Sequence, residues 1–496
     1  MHHLGYQFLC DHLKLSAFAL PRPARIAPTA RLTRTVDALL VPAHVAPAGK
    51  NPLDHVLFAL KHEGINLQIL AQTLKTIPEQ AILKRVQATP SSRYGRVLGF
   101  LWESFHGRTL DGDVSIAGPT VDLFDAQRYL TTPGQRNARW KVNFNGLGSP
   151  RYCVTVERTP AIEALLALNV LARANTFLAE LGQHITDRTL RWAYLYETAS
   201  SFAIERESPP HDKAEAFTAL LKQAHTPRRM DEGYLVELQN AAITNPLDRA
   251  ASFRQQQNWL RGPLRGAADV TYVPPPPEQV SELMEGVLMF ANELSGIIDP
   301  IVAAAIAAFG LVFIHPFMDG NGRLSRFLFH YALCRSGQLA NGLLLPVSAA
   351  MQRNEAAYLN ALQSYSVPLR RHWDVRWIED DLYDFHFNGD ESLYRYWDAT
   401  HCVEFSLTMA QQALEQDLRE QTEFLDRFDQ IYRTIDDRFD VRGNILTTLI
   451  ISGLRNNGKL SKNRRKQFRA TVPEPVFEAI EQACRDMLAG HENAGQ

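Results

Sequence analysis

The stretch Ile301–Ile314, IVAAAIAAFGLVFI, constrains the fold more than any other part of the sequence. It has no charged or polar side chain, so a helix formed by it is apolar on every face and has to be surrounded. It is too short and too rich in small residues to cross a bilayer, which takes about 20 apolar residues. The remaining reading is the central helix of a bundle. The segment GRLSRFLFHYALCRSG that follows has helical spacing again, and Gly337 closes it as a C-terminal cap.

Between these two helices lies the loop that carries chemistry, HPFMDGNGRLSR from His315. Gly320, Asn321 and Gly322 give a backbone that can turn sharply, because glycine tolerates positive φ. The amides of such a turn, joined to the free N–H groups of a helix start, form an anion-binding nest. Arg323 and Arg326 follow three apart and share a face. Cations at a helix start oppose its dipole unless an anion is supplied, and a polyphosphate would supply one. Asp319 sets a carboxylate beside the nest, where it could hold Mg²⁺ against phosphate oxygens. His315, at the other edge, can accept a proton near neutral pH. Together these groups point to transfer of a phosphorus-centred group.

The same residues match HPFxDGNGRxxR, the signature of the Fic family, at every specified position. The chain resembles that family over roughly residues 90–370. The resemblance implies a mainly α fold with a helical core under a β-hairpin flap. It also implies transfer of AMP from ATP to a hydroxyl side chain (Tyr, Thr or Ser) of a target protein, self-modification included, with pyrophosphate leaving. On that basis His315 deprotonates the hydroxyl and Asp319 coordinates Mg²⁺. Asn321 and the Gly320 and Gly322 backbone hold the α-phosphate, Arg323 and Arg326 bind the outer phosphates, and Pro316 and Phe317 shape the loop. The signature does not read the base. Transfer of UMP, phosphate or phosphocholine, or removal of AMP, stays open, as does a partner- or nucleic-acid-binding regulator with a closed core.

Two further segments resemble family features. FRQQQNWLRGPLRGAADVTYVPPPPEQVSELM, 253–284, is similar to the flap region. There Asp269, Val270, Thr271, Tyr272 and Val273 would form the edge that pairs with an extended target segment. SSFAIER, 200–206, is similar to the inhibitory motif [ST]xxxE[GN]. Ser201 and Glu205 fit, whereas Arg206 replaces the usual Gly or Asn. The implied pair is Glu205 with Arg326, which would block the γ-phosphate of ATP.

YGRVLGFLWESFHGRTLDG at 94–112 and NGLGSPRYCVTVERT at 145–159 resemble the N-terminal region of a bacterial subset of the family. Residues 93–153 read as short strands and turns. The expected organisation is an irregular, proline-rich arm at 1–52, a mixed α/β accessory domain at 53–160, the catalytic domain with its inhibitory helix at 161–390, and a helical C-terminal domain at 391–496. ALLALNVLARANTFLAEL reads as one amphipathic or buried helix.

Charge excludes a protein built mainly to coat nucleic acid or an anionic membrane: 52 Lys and Arg stand against 54 Asp and Glu. The string Lys459, Lys462, Arg464, Arg465, Lys466 and Arg469 reads as a solvated helix face. The five cysteines form no CxxC pair, which fits a reducing cytosol. The N-terminal apolar stretch is interrupted by Asp11, His12 and Lys14, unlike a signal peptide. A cytoplasmic enzyme with ATP and Mg²⁺, a protein target and no membrane partner is the expectation.

Overall fold

The computed structural model describes residues 2–243, 245–380 and 382–492. It is mainly helical, with short strands. Residues 1–52 are not an irregular arm. Helix α1 (Gly5–Leu13) packs on α2 (Pro52–His62), and β1 (Ala24–Ile26), β2 (Thr33–Arg34) and β3 (Leu39–Val41) make a small sheet in the order β1-β3-β2. Tyr6 and Leu9 of α1 enter the same buried core as α2, α3 (Leu67–Thr76) and α4 (Arg93–His106).

Helix α4 also departs from the strand-and-turn reading of 93–153. Ser92 starts it by accepting from the Gly95 N–H at 3.2 Å. Gly99 sits inside it because a Cβ there would meet the buried indole of Trp140 at 2.2 Å. Downstream, β4 (Tyr152–Thr155) pairs in parallel with the distant segment Tyr396–Asp398. Its residues divide between two cores, Cys153 toward α4 and Tyr152 and Val154 toward the central bundle. The accessory region is therefore sewn to the bundle through a shared sheet.

The apolar stretch Pro160–Glu180 is not one helix. It breaks into Pro160–Ala167 and Val170–Glu180 at Asn169, whose φ is 46°. By length and composition the stretch could cross a membrane. The break divides it into two short helices, which pack Ile162, Val170, Leu171, Ala174 and Phe177 into the central core.

The bundle is built from α5 (Gln183–Ile204), α6 (Glu232–Ala242), α7 (Val280–Asn292), α8 (Pro300–Ile314), α9 (Asn321–Arg335), α10 (Glu355–Arg370) and α11 (Thr400–Gln412). Helix α8 is the fully apolar one. Asp299 caps it by accepting from Ile301 and Val302, Pro300 opens it, and α7, α9 and α11 surround it. Since α11 and residues up to Leu418 belong to this core, the C-terminal unit begins near residue 420 rather than at 391. That unit is a separate helical core of Glu420–Asp436, Gly443–Arg455 and Glu474–Glu492. The basic string lies on and around a short exposed helix, Lys462–Phe468, and its Arg465 pairs with Glu474 and Glu481.

Candidate active site

Helix α8 ends where His315 turns left-handed, at φ 52°, and α9 starts after Gly320, at φ 84°. Only Gly320 of the two glycines needs that freedom. Gly322 lies in the first turn of α9, and a Cβ there would meet Oε1 of Glu205 at 2.0 Å. Its lack of a side chain serves close approach, not the turn. No side chain caps α9, so its first N–H groups are left for an anion.

The loop is braced from behind. Arg254 is buried; its guanidinium donates to the carbonyls of His315 (2.9 Å), Ile314 (3.3 Å) and Pro275 (2.5 Å), and its backbone N–H to that of Pro316 (2.8 Å). Asn258 donates to the Phe317 carbonyl at 2.9 Å. The Asn321 side chain closes on Phe317, accepting from its N–H at 3.0 Å and donating to its carbonyl at 2.8 Å. Asn321 thus spends Oδ1 and one of its two Nδ2–H donors on bracing the loop, and its backbone N–H is left at the start of α9. Phe317 itself is buried edge-on against Phe253.

His315 Nδ1 lies 3.1 Å from the Val312 carbonyl. A carbonyl can only accept, so Nδ1 carries the proton and Nε2 the lone pair. Burial pushes the imidazole down to about 4, which leaves it neutral at pH 7. Asp319 accepts from the Gly320 N–H at 2.6 Å, and both its oxygens lie 3.4 Å from Arg323. One half-exposed carboxylate beside an anion nest fits Mg²⁺, which takes one or two carboxylates and fills its shell with phosphate oxygens and water. No cluster of three ligating side chains occurs among the described residues.

Arg323 and Arg326 are both buried. Arg326 donates from Nε to Ser201 Oγ (2.6 Å) and from Nη2 to the Ser201 carbonyl (2.9 Å) and Glu205 Oε1 (2.8 Å). Its Nη1 is buried, with no hydrogen-bond partner among the described residues. Arg323 reaches Glu207 at 3.1 Å and the Ala242 carbonyl at 3.0 Å, with its guanidinium over the ring of Phe202. Thus two carboxylates from the end of α5, not one, occupy the two arginines. Burial pushes the Glu205 carboxyl up, but the charge and hydrogen bond of Arg326, helped by Arg323 and His315, hold it below its ordinary value.

Arg206, between the two acids, has φ 59°. That left-handed conformation suits Gly or Asn and costs other residues about 1–2 kcal/mol. Arg206 thus adopts a backbone in which Gly or Asn would be at ease. The Arg206 side chain points to solvent, 3.7 Å from Glu355. Further back on α5, Glu197 is fully buried and accepts from the Ser348 N–H (2.8 Å), Ser348 Oγ (2.5 Å) and His330 Nε2 of α9 (2.8 Å). The helix that brings Glu205 is pinned to the helix that carries Arg326.

Residues 229–333 match the family model described as Fic/DOC family. They span the loop, both arginines and the bracing residues Arg254 and Asn258. The chain carries a Fic/DOC-family domain. Part of it is 45% identical over 67 residues to a protein adenylyltransferase, fic-1, of Caenorhabditis elegans, covering 13% of each chain. Over 86 residues it is 40% identical to the protein adenylyltransferase Fic of Drosophila yakuba, covering 17% of this chain and 16% of that one. The match thus spans less than a fifth of the length of these curated relatives. Among solved structures, a Fic family protein from Desulfovibrio desulfuricans aligns with 66% of this chain and 89% of its own, at 21% identity and a TM-score of 0.40.

The flap of the Fic domain differs from the sequence expectation. Strands β5 (Leu260–Arg261) and β6 (Val270–Tyr272) form an antiparallel hairpin. Asp269–Val273 is not a free edge. Val270 and Val273 are buried with Trp373, the Val270 carbonyl accepts from Arg370 (2.9 Å), and the Val273 carbonyl from Tyr394 (2.9 Å). Tyr272, expected to touch a target, instead donates its hydroxyl to the Phe313 carbonyl inside the core at 2.5 Å. Asp269 is buried too; only Thr271 has an exposed side chain. The cause is a second hairpin, β7 (Trp373–Glu379) with β8 (Leu382–Phe387), which the sequence reading did not foresee and which packs its aromatic residues against the flap. The more exposed strand of the flap is β5.

Proposed function

We propose that the chain is a protein adenylyltransferase that moves AMP from ATP to a Tyr, Thr or Ser hydroxyl of a target protein and releases pyrophosphate. The observation that carries this reading is a neutral His315, with its Nε2 lone pair available, beside an uncapped helix start whose two arginines are buried. The names of the curated relatives support it.

In the proposed step the target oxygen attacks the α-phosphorus and its proton passes to His315 Nε2. The bond from that phosphorus to the oxygen bridging to the β-phosphate breaks, and pyrophosphate leaves with the electron pair. The N–H groups of Gly322 and Asn321 steady the α-phosphate, and Arg323 and Arg326 hold the outer phosphates. Mg²⁺, when bound, would neutralise phosphate charge, and Asp319 is the residue that would hold it. An extended target segment would pair with Leu260–Arg261, which brings its hydroxyl to the mouth of the loop.

Glu205 lies over the same helix start and holds the same guanidinium that a γ-phosphate needs. The resting state is therefore self-inhibited, with Glu207 reinforcing the block at Arg323. The test is to incubate wild type and Glu205→Gly in a cell lysate with labelled ATP, GTP, UTP and CTP, and to read the labelled proteins by mass spectrometry. An AMP adduct on a hydroxyl side chain, stronger with Glu205→Gly, supports the proposal. Label from another nucleotide alone, or none from any, overturns it.

A further inference from the structure

The accessory region holds a feature that the reading of the Fic domain does not use. A cavity of about 470 Å³ lies among the N-terminal sheet, the end of α2, the start of α4 and the turn at 125–129. That is within the 300–1,000 Å³ typical of small-molecule sites. The segments around it are those whose resemblance to an accessory region carried no chemistry, 94–112 and 145–159.

The cavity is lined by Arg22, Arg34, Lys61, Arg93, Arg128 and Arg158 against two carboxylates, Asp125 and Glu157. Arg128 pairs with Glu157 at 2.9 Å and Arg158 with Glu163 at 2.5 Å. The other four cations form no ion pair among the described residues. Arg34 donates only to the His62 carbonyl (3.2 Å) and Arg93 only to the Asp122 carbonyl (3.2 Å). Asp125 accepts from the Gln127 N–H at 3.0 Å and reaches none of the four. Over the whole chain positive and negative charges sum to −2, so a concave surface with this excess is a local departure. Like charges gathered around one concavity raise its potential and draw in anions.

A smaller cavity of about 220 Å³ adjoins it and shares Arg22, Arg34, Arg128 and Tyr129. Its carboxylates are Glu63, Asp398 and the Glu157 that pairs with Arg128; burial pushes the Glu63 carboxyl up to about 8 and raises that of Asp398. Glu63 is mostly uncharged at neutral pH and does little to cancel the arginines. Tyr94, half-buried, and Tyr129, with the Arg128 guanidinium 4.9 Å from its ring centre, add flat apolar walls. Guanidinium groups favour phosphate oxygens, which they can grip with two parallel bonds.

We propose that this cavity binds a small polyphosphorylated anion, either a free phosphate chain or one carried by a nucleoside. Its dimensions admit a mononucleotide and exclude a duplex. The site is distinct from the Fic loop. Its back wall includes Glu157, whose N–H donates to Thr400 of α11, so an occupant would touch the seam between the accessory region and the bundle.

The test uses the full chain, with inorganic triphosphate, ATP and AMP as probes in titration calorimetry. The variant Arg34→Glu/Arg93→Glu changes two exposed side chains, so its melting temperature should match wild type. Triphosphate should bind wild type and bind the variant roughly tenfold more weakly or worse. AMP should bind least. ATP binding more tightly than triphosphate through the same residues would identify the nucleoside as part of the ligand, and equal affinity would identify the phosphate chain alone. Transfer of AMP to protein should be unchanged in the variant, and the binding result stands whether or not transfer is seen. Triphosphate affinity and stoichiometry identical in wild type and variant, or no binding by either, overturns the proposal.

Discussion

Two regions face each other across the place where the nucleotide would lie, and they are built differently. The loop 315–322 is held rigidly. Arg254, Asn258 and Asn321 tie down the carbonyls of Ile314, His315, Pro316 and Phe317, and Phe317 is buried. The turn 205–207 is held by its charges. Its carboxylates are each about a third exposed, and the residue between them sits in a strained left-handed conformation. Behind the turn, α5 is fixed by the dry cluster of Glu197, His330 and Ser348. The contrast teaches where adjustment is cheapest. On the proposed reading the loop is preorganised for chemistry, and release of the Glu205–Arg326 contact would need only the last turn of α5 to yield, not the helix.

The largest effects should come from the rigid side. His315→Asn keeps a residue that tolerates φ near 52° but removes the base. Transfer should fall by about 10²–10⁴-fold, measured with labelled ATP, while the melting temperature stays near wild type. Arg254→Ala should break the rigidity itself. Several buried carbonyls lose their donor, each costing about 1–3 kcal/mol, so the melting temperature should drop on the order of 5–10 °C and activity about 10²-fold. A fully active, equally stable Arg254→Ala protein would show that the loop is not held as described.

The soft side should respond in the opposite direction. Glu205→Gly should raise transfer roughly tenfold at limiting ATP, since one charge-assisted hydrogen bond to Arg326 is worth about 1.5–3 kcal/mol. Arg206→Gly should do the reverse of Glu205→Gly. Removing the left-handed strain stabilises the fold by about 1 kcal/mol and should lower basal transfer up to about fivefold. Equal or higher activity in Arg206→Gly would mean that the turn is not under strain in the inhibited state.

The smallest expected effect is on pH. As the proposed base His315 would act in its neutral form, and burial puts its titration at about 4 rather than 6.5. Transfer should therefore stay nearly flat from pH 8 to pH 5 and decline only as pH falls toward 4. Glu205 is held below its ordinary value, so the inhibitory contact persists through the same window. A loss centred near 6.5 in the initial rate at low ATP would show an imidazole exposed to water.

The sequence made the central bundle legible because α8 is apolar on every face and Gly337, at φ 71°, closes the helix that follows the loop. It made the loop legible because histidine, carboxylate, glycines and arginines are contiguous. It could not show what reaches the loop from elsewhere. Arg254 and Asn258 lie in a polar, proline-bounded stretch that reads as surface. Glu207 differs from any exposed acid only by the partner it finds 116 positions away. The flap edge was misread because strand alternation at Val270, Tyr272 and Val273 says which residues are buried only once the covering hairpin is known. The N-terminal arm was misread because its prolines lie between elements rather than within a disordered run, and α4 because its Gly99 serves packing against Trp140.

The most direct test of the account is AMP transfer from labelled ATP by Glu205→Gly beside the double variant Glu205→Gly/His315→Asn. The first removes the occupant of Arg326, and the second then removes the base from an already open site. The account predicts labelling above wild type in the single variant and almost none in the double variant, with both proteins folded and both binding ATP. Strong labelling by the double variant would contradict the assignment of His315, and no gain in the single variant would contradict inhibition by Glu205.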